Sequence, residues 1–256
     1  MTISKVARLR SLHVPGTPLV LPNAWDAASA RLVEAAGFPA VATSSNAMAA
    51  VLGTEDGERL PVGDVLSYVA AIAASVDVPV TADVERGYGL SPEELVERIA
   101  ATGAVGVNLE DSDPATGAMV DAAAQADLLA AVRAAATALG TDLVINARTD
   151  SFLRRNGAPE DQLAATLERG ARYLAAGADC VYPIAAGGAD VIRALVEGIP
   201  GPVNVGHGPG GPSFAQYAAL GVARVSFGPT LQRHLYNTAG AAMLAALAVG
   251  EDPMAR

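Results

Sequence analysis

Four stretches of this chain carry the same punctuation, and that repetition limits its fold more than any other feature. Ala35-Ala36-Gly37 precedes Phe38-Pro39-Ala40-Val41-Ala42-Thr43, and Ala101-Thr102-Gly103 precedes Ala104-Val105-Gly106-Val107-Asn108-Leu109-Glu110. Ala175-Ala176-Gly177 and Ala219-Leu220-Gly221 stand before Cys180-Val181-Tyr182-Pro183 and Arg224-Val225-Ser226-Phe227-Gly228 in the same way. Each reads as a helix end, a glycine cap, a short link and a strand buried on both faces. Further strands are expected at 19–22, from Val78, at 143–148 and at 203–205. Helices are expected between them, among them 27–36 capped by Asp26, 62–75, one starting at Ser91-Pro92, 121–139 and 160–176. Eight strands alternating with eight helices is the count of a (β/α)8 TIM barrel, here one domain over 1–256. A doubly wound open sheet would want a glycine-rich first turn, and Pro22-Asn23-Ala24-Trp25 has no glycine. A short helix at 4–12 leads the barrel, and an apolar helix at 230–249 closes it.

The residue inventory removes several function classes. A formal net charge of −10 gives no basic face for nucleic acid. No segment approaches the roughly 20 apolar residues of a membrane span, and the N-terminus lacks a signal-peptide pattern. The single cysteine, Cys180, cannot form an internal disulfide, which fits the cytoplasm. Lys5 is the one lysine and precedes the first strand, which argues against Schiff-base or PLP chemistry inside the barrel. His13, His207 and His234 match no zinc spacing.

Active sites of such barrels lie where strands run into their following loops. Reading those ends gives Asn23 and Asp26; Ser44, Ser45 and Asn46; Asp83 and Glu85; Asn108, Glu110 and Asp111; Asn146, Arg148 and Asp150; Tyr182; Asn204 and His207; and Ser226. Asp83 and Glu85, two apart on one strand, are expected to point the same way, with Glu110 and Asp111 on the next strand joining them. Such crowded negative charge calls for protons or a cation. Oxygen donors without His or Cys suit Mg²⁺, or Mn²⁺, keeping several waters. Arg148 is either the counter-ion of this cluster or the fork that grips a substrate carboxylate. Asp26 reads as a helix cap and Cys180 as a core residue. His207, in a glycine-rich loop, faces either solvent or substrate.

Asp83-Val84-Glu85-Arg86-Gly87-Tyr88-Gly89 resembles the D-x-D/E-x-G-Y-G signature of the isocitrate lyase/phosphoenolpyruvate (PEP) mutase superfamily. Glu34-Ala35-Ala36-Gly37-Phe38 leading to Thr43-Ser44-Ser45, residues 53–57 with Asp56, Asn108-Leu109-Glu110-Asp111 and Asn146-Ala147-Arg148-Thr149-Asp150 follow the same family order. The resemblance spans nearly the whole chain and implies a Mg²⁺-dependent barrel acting on small 2-oxo or enol carboxylates. It implies that Asp83 binds the metal, with Glu85, Glu110 and Asp56 acting largely through metal-bound water. Arg148 and the Ser44-Ser45-Asn46 turn would then hold the substrate carboxylate, with Asn204 a further substrate contact; Arg148, Asp56 and Glu110 are the expected catalytic residues. It also implies a homo-oligomer, a dimer or tetramer, whose last helix is exchanged between subunits.

The departures narrow the subfamily. Isocitrate and 2-methylisocitrate lyases carry Lys-Lys-Cys-Gly-His after the fourth strand; here the loop reads Ser112-Asp113-Pro114-Ala115-Thr116-Gly117-Ala118-Met119. The tyrosine of those lyases and the tryptophan of PEP mutase are replaced by Ala42. The expectation is a carbon–carbon lyase that cleaves or decarboxylates small 2-oxo or 2-hydroxy (di)carboxylates through a metal-stabilised pyruvate enolate, with residues 113–120 as a lid. The alternatives are a phosphonopyruvate or carboxyphosphonoenolpyruvate mutase-type enzyme, or a non-catalytic barrel that retains the rim.

Overall fold

In the computed structural model, which describes residues 3–155 and 157–255, the four repeated junctions turn as their glycines predict. Gly37, Gly103, Gly177 and Gly221 take φ of 87°, 84°, 99° and 84°, a conformation that disfavours any side chain. Each turn drops the chain from a helix into a strand. The strands are β1 (Leu19–Leu21), β2 (Asn23–Ala24), β3 (Val41–Thr43), β4 (Val80–Asp83), β5 (Gly106–Glu110), β6 (Val144–Thr149), β7 (Cys180–Pro183), β8 (Asn204–Gly206) and β9 (Arg224–Ser226). All pairings are parallel, in the orders β2-β3-β4-β5-β6-β7 and β1-β9-β8. Two joints close the ring. β1 and β2 form one stave interrupted at Pro22, which has no N–H to donate, and a parallel bridge from Val181 to Val203 links β7 to the β8 stave. The result is the expected eight-staved barrel.

The helices are α1 (Lys5–Ser11), α2 (Ala27–Ala35), α3 (Ser45–Val51), α4 (Val62–Ala74), α5 (Pro92–Thr102), α6 (Ala122–Leu139), α7 (Pro159–Ala175), α8 (Ala189–Gly198), α9 (Phe214–Ala219), α10 (Thr230–His234) and α11 (Ala241–Ala248). Asp26 caps α2 in a reciprocal box with Ser29, and Ser91 caps α5 ahead of Pro92, as predicted. Outward strand residues such as Val41, Val80, Val107 and Ile145 pack against the helices, while Val181, Val205 and Val225 do so on the other side. Inward residues of the first layer form a third cluster, with Leu9 of α1 buried among Leu19, Leu21 and Val144. Helix α1 thus covers the N-terminal end of the barrel, and the cavity opens at the C-terminal ends of the strands.

Two elements differ from expectation. Strand β4, the third stave, stops at Asp83, and Glu85 takes φ 49°, so the two carboxylates do not share a strand face. The closing helix is interrupted: α10 passes through a π-helical turn, Leu235–Gly240, before α11. Within that turn the Thr238 hydroxyl bonds back to the His234 carbonyl, the kind of competing side-chain bond that widens a helix. Residues of the π turn and α11 are not buried; Leu244 and Leu247 are 68% and 52% exposed. Among the described residues no helix is long and apolar enough to cross a membrane.

Candidate active site at the strand ends

A cavity of about 300 Å³ opens at the C-terminal ends of the strands. Asp83, Asp56, Ser45, Asn108, Arg148 and Tyr182 line it, together with Ser44, Asn46 and three residues of the last stave and helix. Asp83 is held by both oxygens. Oδ2 accepts from the Ser45 N–H (3.0 Å) and hydroxyl (2.8 Å), and Oδ1 accepts from Asn108 Nδ2 (2.9 Å). Asn108 in turn accepts from Asn146 Nδ2 (2.7 Å), which extends the chain of bonds across three neighbouring staves. Asp83 is fixed in place and keeps lone pairs for a further partner.

Asp56 reaches the cavity from the loop after α3. Its Oδ2 accepts from Asn46 Nδ2 at 3.3 Å, and its Oδ1 is buried with no partner. Burial first, then the charge of Asp83, lifts its carboxyl above the usual range. Glu85 stands behind this wall. Its left-handed backbone turns the carboxylate onto the Gly57 and Glu58 N–H groups (2.8 and 2.7 Å) and the Tyr88 hydroxyl (2.7 Å). Glu58 reciprocates by accepting from the Arg86 and Tyr88 N–H groups. This two-way clasp fixes the loop that carries Asp56. Glu58 carries no sequence signal that separates it from an ordinary surface acid.

Glu110 and Arg148 form a buried pair, Oε2 to Nη1, at 2.7 Å. Asp150 grips the other side of the guanidinium, with Nε at 2.6 Å and Nη2 at 3.0 Å. Burial raises the Glu110 carboxyl, Arg148 opposes the rise, and Asp150 and Asp83 add to it. Arg148 therefore is the counter-ion of the acids, and it also lines the cavity. The Ser44-Ser45-Asn46 turn lies on the wall as expected. The Ser44 hydroxyl caps α3 by accepting from Ala47 N–H, Ser45 serves Asp83, and Asn46 bridges Asp56 and Arg233.

Other candidates lie apart from the cavity. Asp111 faces away, where it accepts from Tyr173 (2.7 Å), Arg169 (3.0 Å) and the Asp150 N–H (2.8 Å); strand alternation turns it opposite to Glu110. His207 packs among Phe214, Tyr217 and Phe227. Cys180 is fully buried, and burial pushes its thiol up to about 12, which leaves it no nucleophile. Asn204 is buried with neither side-chain amide atom partnered. Residues 113–120 close on themselves through a Ser112–Met119 bridge and the Asp113–Ala118 backbone bond, a compact hairpin in place of an open lid.

The donor chemistry fits a hard divalent cation. The candidate ligands Asp83 and Asp56 offer only oxygens, and one oxygen of Asp56 lacks any partner. Among the described residues no three Asp, Glu, His or Cys side chains form a direct cage. That arrangement suits a cation held by one or two carboxylates and several waters, the habit of Mg²⁺.

Comparison with known proteins agrees with this geometry. The family model described as phosphoenolpyruvate phosphomutase matches residues 9–247. A Burkholderia cenocepacia J2315 structure with a provisional phosphonomutase assignment is 44% identical, with a TM-score of 0.87 over 96% of this chain and 99% of that one. The 2,3-dimethylmalate lyase of Eubacterium barkeri is 28% identical over 78% of this chain and 70% of its own. A phosphonopyruvate hydrolase solved with oxalate and Mg²⁺ is 25% identical, with a TM-score of 0.82 over 97% of this chain and 89% of that one. With the barrel, the signature residues and the matched span in agreement, this chain belongs to the phosphoenolpyruvate phosphomutase family, within the isocitrate lyase/PEP mutase superfamily of lyases and mutases.

Proposed function

We propose that this protein is a Mg²⁺-dependent lyase that cleaves or decarboxylates small 2-oxo or 2-hydroxy (di)carboxylates. The observation that carries the reading is one cavity lined by both kinds of group: the acids Asp83 and Asp56, bonded to the Ser45-Asn46 turn, and the cation Arg148. Asp83, with Asp56, would hold the cation, and Glu85 and Glu110 would act from behind through its waters. When bound, the cation supplies the positive charge that a developing enolate oxygen needs in a barrel with no lysine. Arg148 and the Ser44 hydroxyl, still free to donate, take the substrate carboxylate. Glu110 and Asp150 hold Arg148 in position, and Asn108 with Ser45 orients Asp83. For a 2-oxo diacid, the bond to the leaving carboxylate breaks and CO2 departs. Its electron pair delocalises onto the 2-oxo oxygen as an enolate, and a proton delivered to the carbon completes pyruvate.

Release of pyruvate from a panel of 2-oxo and 2-hydroxy diacids, with and without Mg²⁺, tests this reading. Asp83→Asn should lose Mg²⁺ binding by calorimetry and lower turnover by about 100-fold or more while remaining folded. Unchanged turnover in that variant would remove the metal-centred reading. The 44% identity to the Burkholderia protein favours a second reading, a P–C bond enzyme; turnover of a phosphonate with no pyruvate from the diacids would select it. The chain is further proposed to work as a homo-oligomer, with the exposed apolar face of α11 seated on a second copy.

A further inference from the structure

Arg224, at the start of β9, is a buried cation without a counter-charge. It is 3% exposed, lines the cavity, and among the described residues has no carboxylate within 4 Å. Arg148, buried to a similar degree, is clamped by two carboxylates, and the half-buried Arg169 has Asp111. The Arg224 Nε donates to Ser226 Oγ at 3.0 Å, and among the described residues its Nη1 has no partner. The register places Asn204 of β8 directly beside it, and both amide atoms of Asn204 are buried and unpartnered. Asn146 Oδ1, another inward strand position, is also unpartnered.

Neighbouring groups do not supply the missing charge. Cys180 stays a thiol, because burial outweighs the pull of Arg224. His13, at the barrel floor, is held down to about 4 by burial and then by Arg224, and so is neutral. Asp83 acts on Arg224 only from beyond ion-pair distance, and both its oxygens are engaged by Ser45 and Asn108. A desolvated, unpaired guanidinium beside an amide with no partners is costly in an empty protein, and an anion that binds there relieves the cost.

We propose that Arg224 binds a second carboxylate of the substrate, so that the cavity selects diacids over monoacids. The inference rests on the lyase reading and names its substrate class. One guanidinium whose Nε is already committed balances a single charge, which matches a carboxylate better than a doubly charged phosphonate.

The test is calorimetric titration in Mg²⁺ with pyruvate, oxaloacetate and 3-phosphonopyruvate, using the wild type, Arg224→Met and Arg224→Lys. The wild type should bind oxaloacetate at least about tenfold more tightly than pyruvate. Arg224→Met should weaken oxaloacetate about 100-fold and pyruvate less than about threefold. Arg224→Lys should recover part of that loss. Equal loss for both acids, or no loss, overturns the proposal and leaves Arg224 a packing residue. Arg224-dependent binding of phosphonopyruvate tighter than that of oxaloacetate overturns the carboxylate assignment. Should the variants not fold, the wild type alone decides by thermal shift: malonate must stabilise it and acetate at equal concentration must not, and equal effects overturn the proposal. The lyase reading fails separately, if pyruvate binding needs neither Mg²⁺ nor Asp83.

Discussion

Glu85 holds its charge where charge is expensive. Burial first, then Asp56, pushes its carboxyl from 4.5 up to about 7, and the Tyr88 and Glu58 hydrogen bonds only partly oppose that rise. In the metal-free protein the folded state therefore binds this proton more tightly than the unfolded chain. Its contribution to stability is full below about pH 4.5 and is lost as pH rises through about 7. Glu85→Gln keeps the shape and removes the titration. In EDTA, its stability relative to wild type should rise between pH 5 and pH 8 by about 1–2 kcal/mol. Denaturant melts at the two pH values check this, and a pH-independent difference would show that the clasp, not the charge, is what Glu85 supplies. Asp83 was legible because it ends a β-branched run. Arg224 was not, because it begins a strand, where a polar side chain gives no sign of facing the barrel interior.

At the scale of elements, the floor of the barrel depends on one missing methyl group. A Cβ on Gly106 would lie 2.9 Å from both Leu9 Cδ2 and Thr81 Oγ1. Gly106→Ala should destabilise by about 1–3 kcal/mol through overpacking. Leu9→Ala alone should cost about 2–5 kcal/mol by opening a void under Leu19 and Leu21. The double variant should be clearly less destabilised than the sum, since the new methyl enters the space that Leu9 leaves. Chemical denaturation of all three variants measures the coupling, and strict additivity would mean that α1 does not seat on Gly106. The helix–glycine–strand junctions were readable because a left-handed cap leaves a compositional mark. The seating of α1 left none; Leu9 looks like any apolar residue of an amphipathic helix.

For the molecule as a whole, the unburied apolar side chains of the last helix predict association. Sedimentation at micromolar concentration should give a dimer or tetramer. Leu244→Asp with Leu247→Asp should shift it to monomer while leaving the barrel folded, because those residues are not buried in the single chain. A wild-type monomer under these conditions would contradict the prediction.

The sequence by itself determined the barrel, the family and the strand-end acids. These follow from local signals: glycine caps, β-branched runs and short ordered motifs act over a few residues and survive in one dimension. Only the tertiary structure decided which acids share the cavity. It turned Glu85 and Asp111 away, paired Glu110 and Asp150 with Arg148, and placed Arg224 beside Asn204 with no counter-charge. The physical reason is that the side chain's direction is set by backbone handedness at single residues and by register between staves far apart in sequence, and neither is written in residue type.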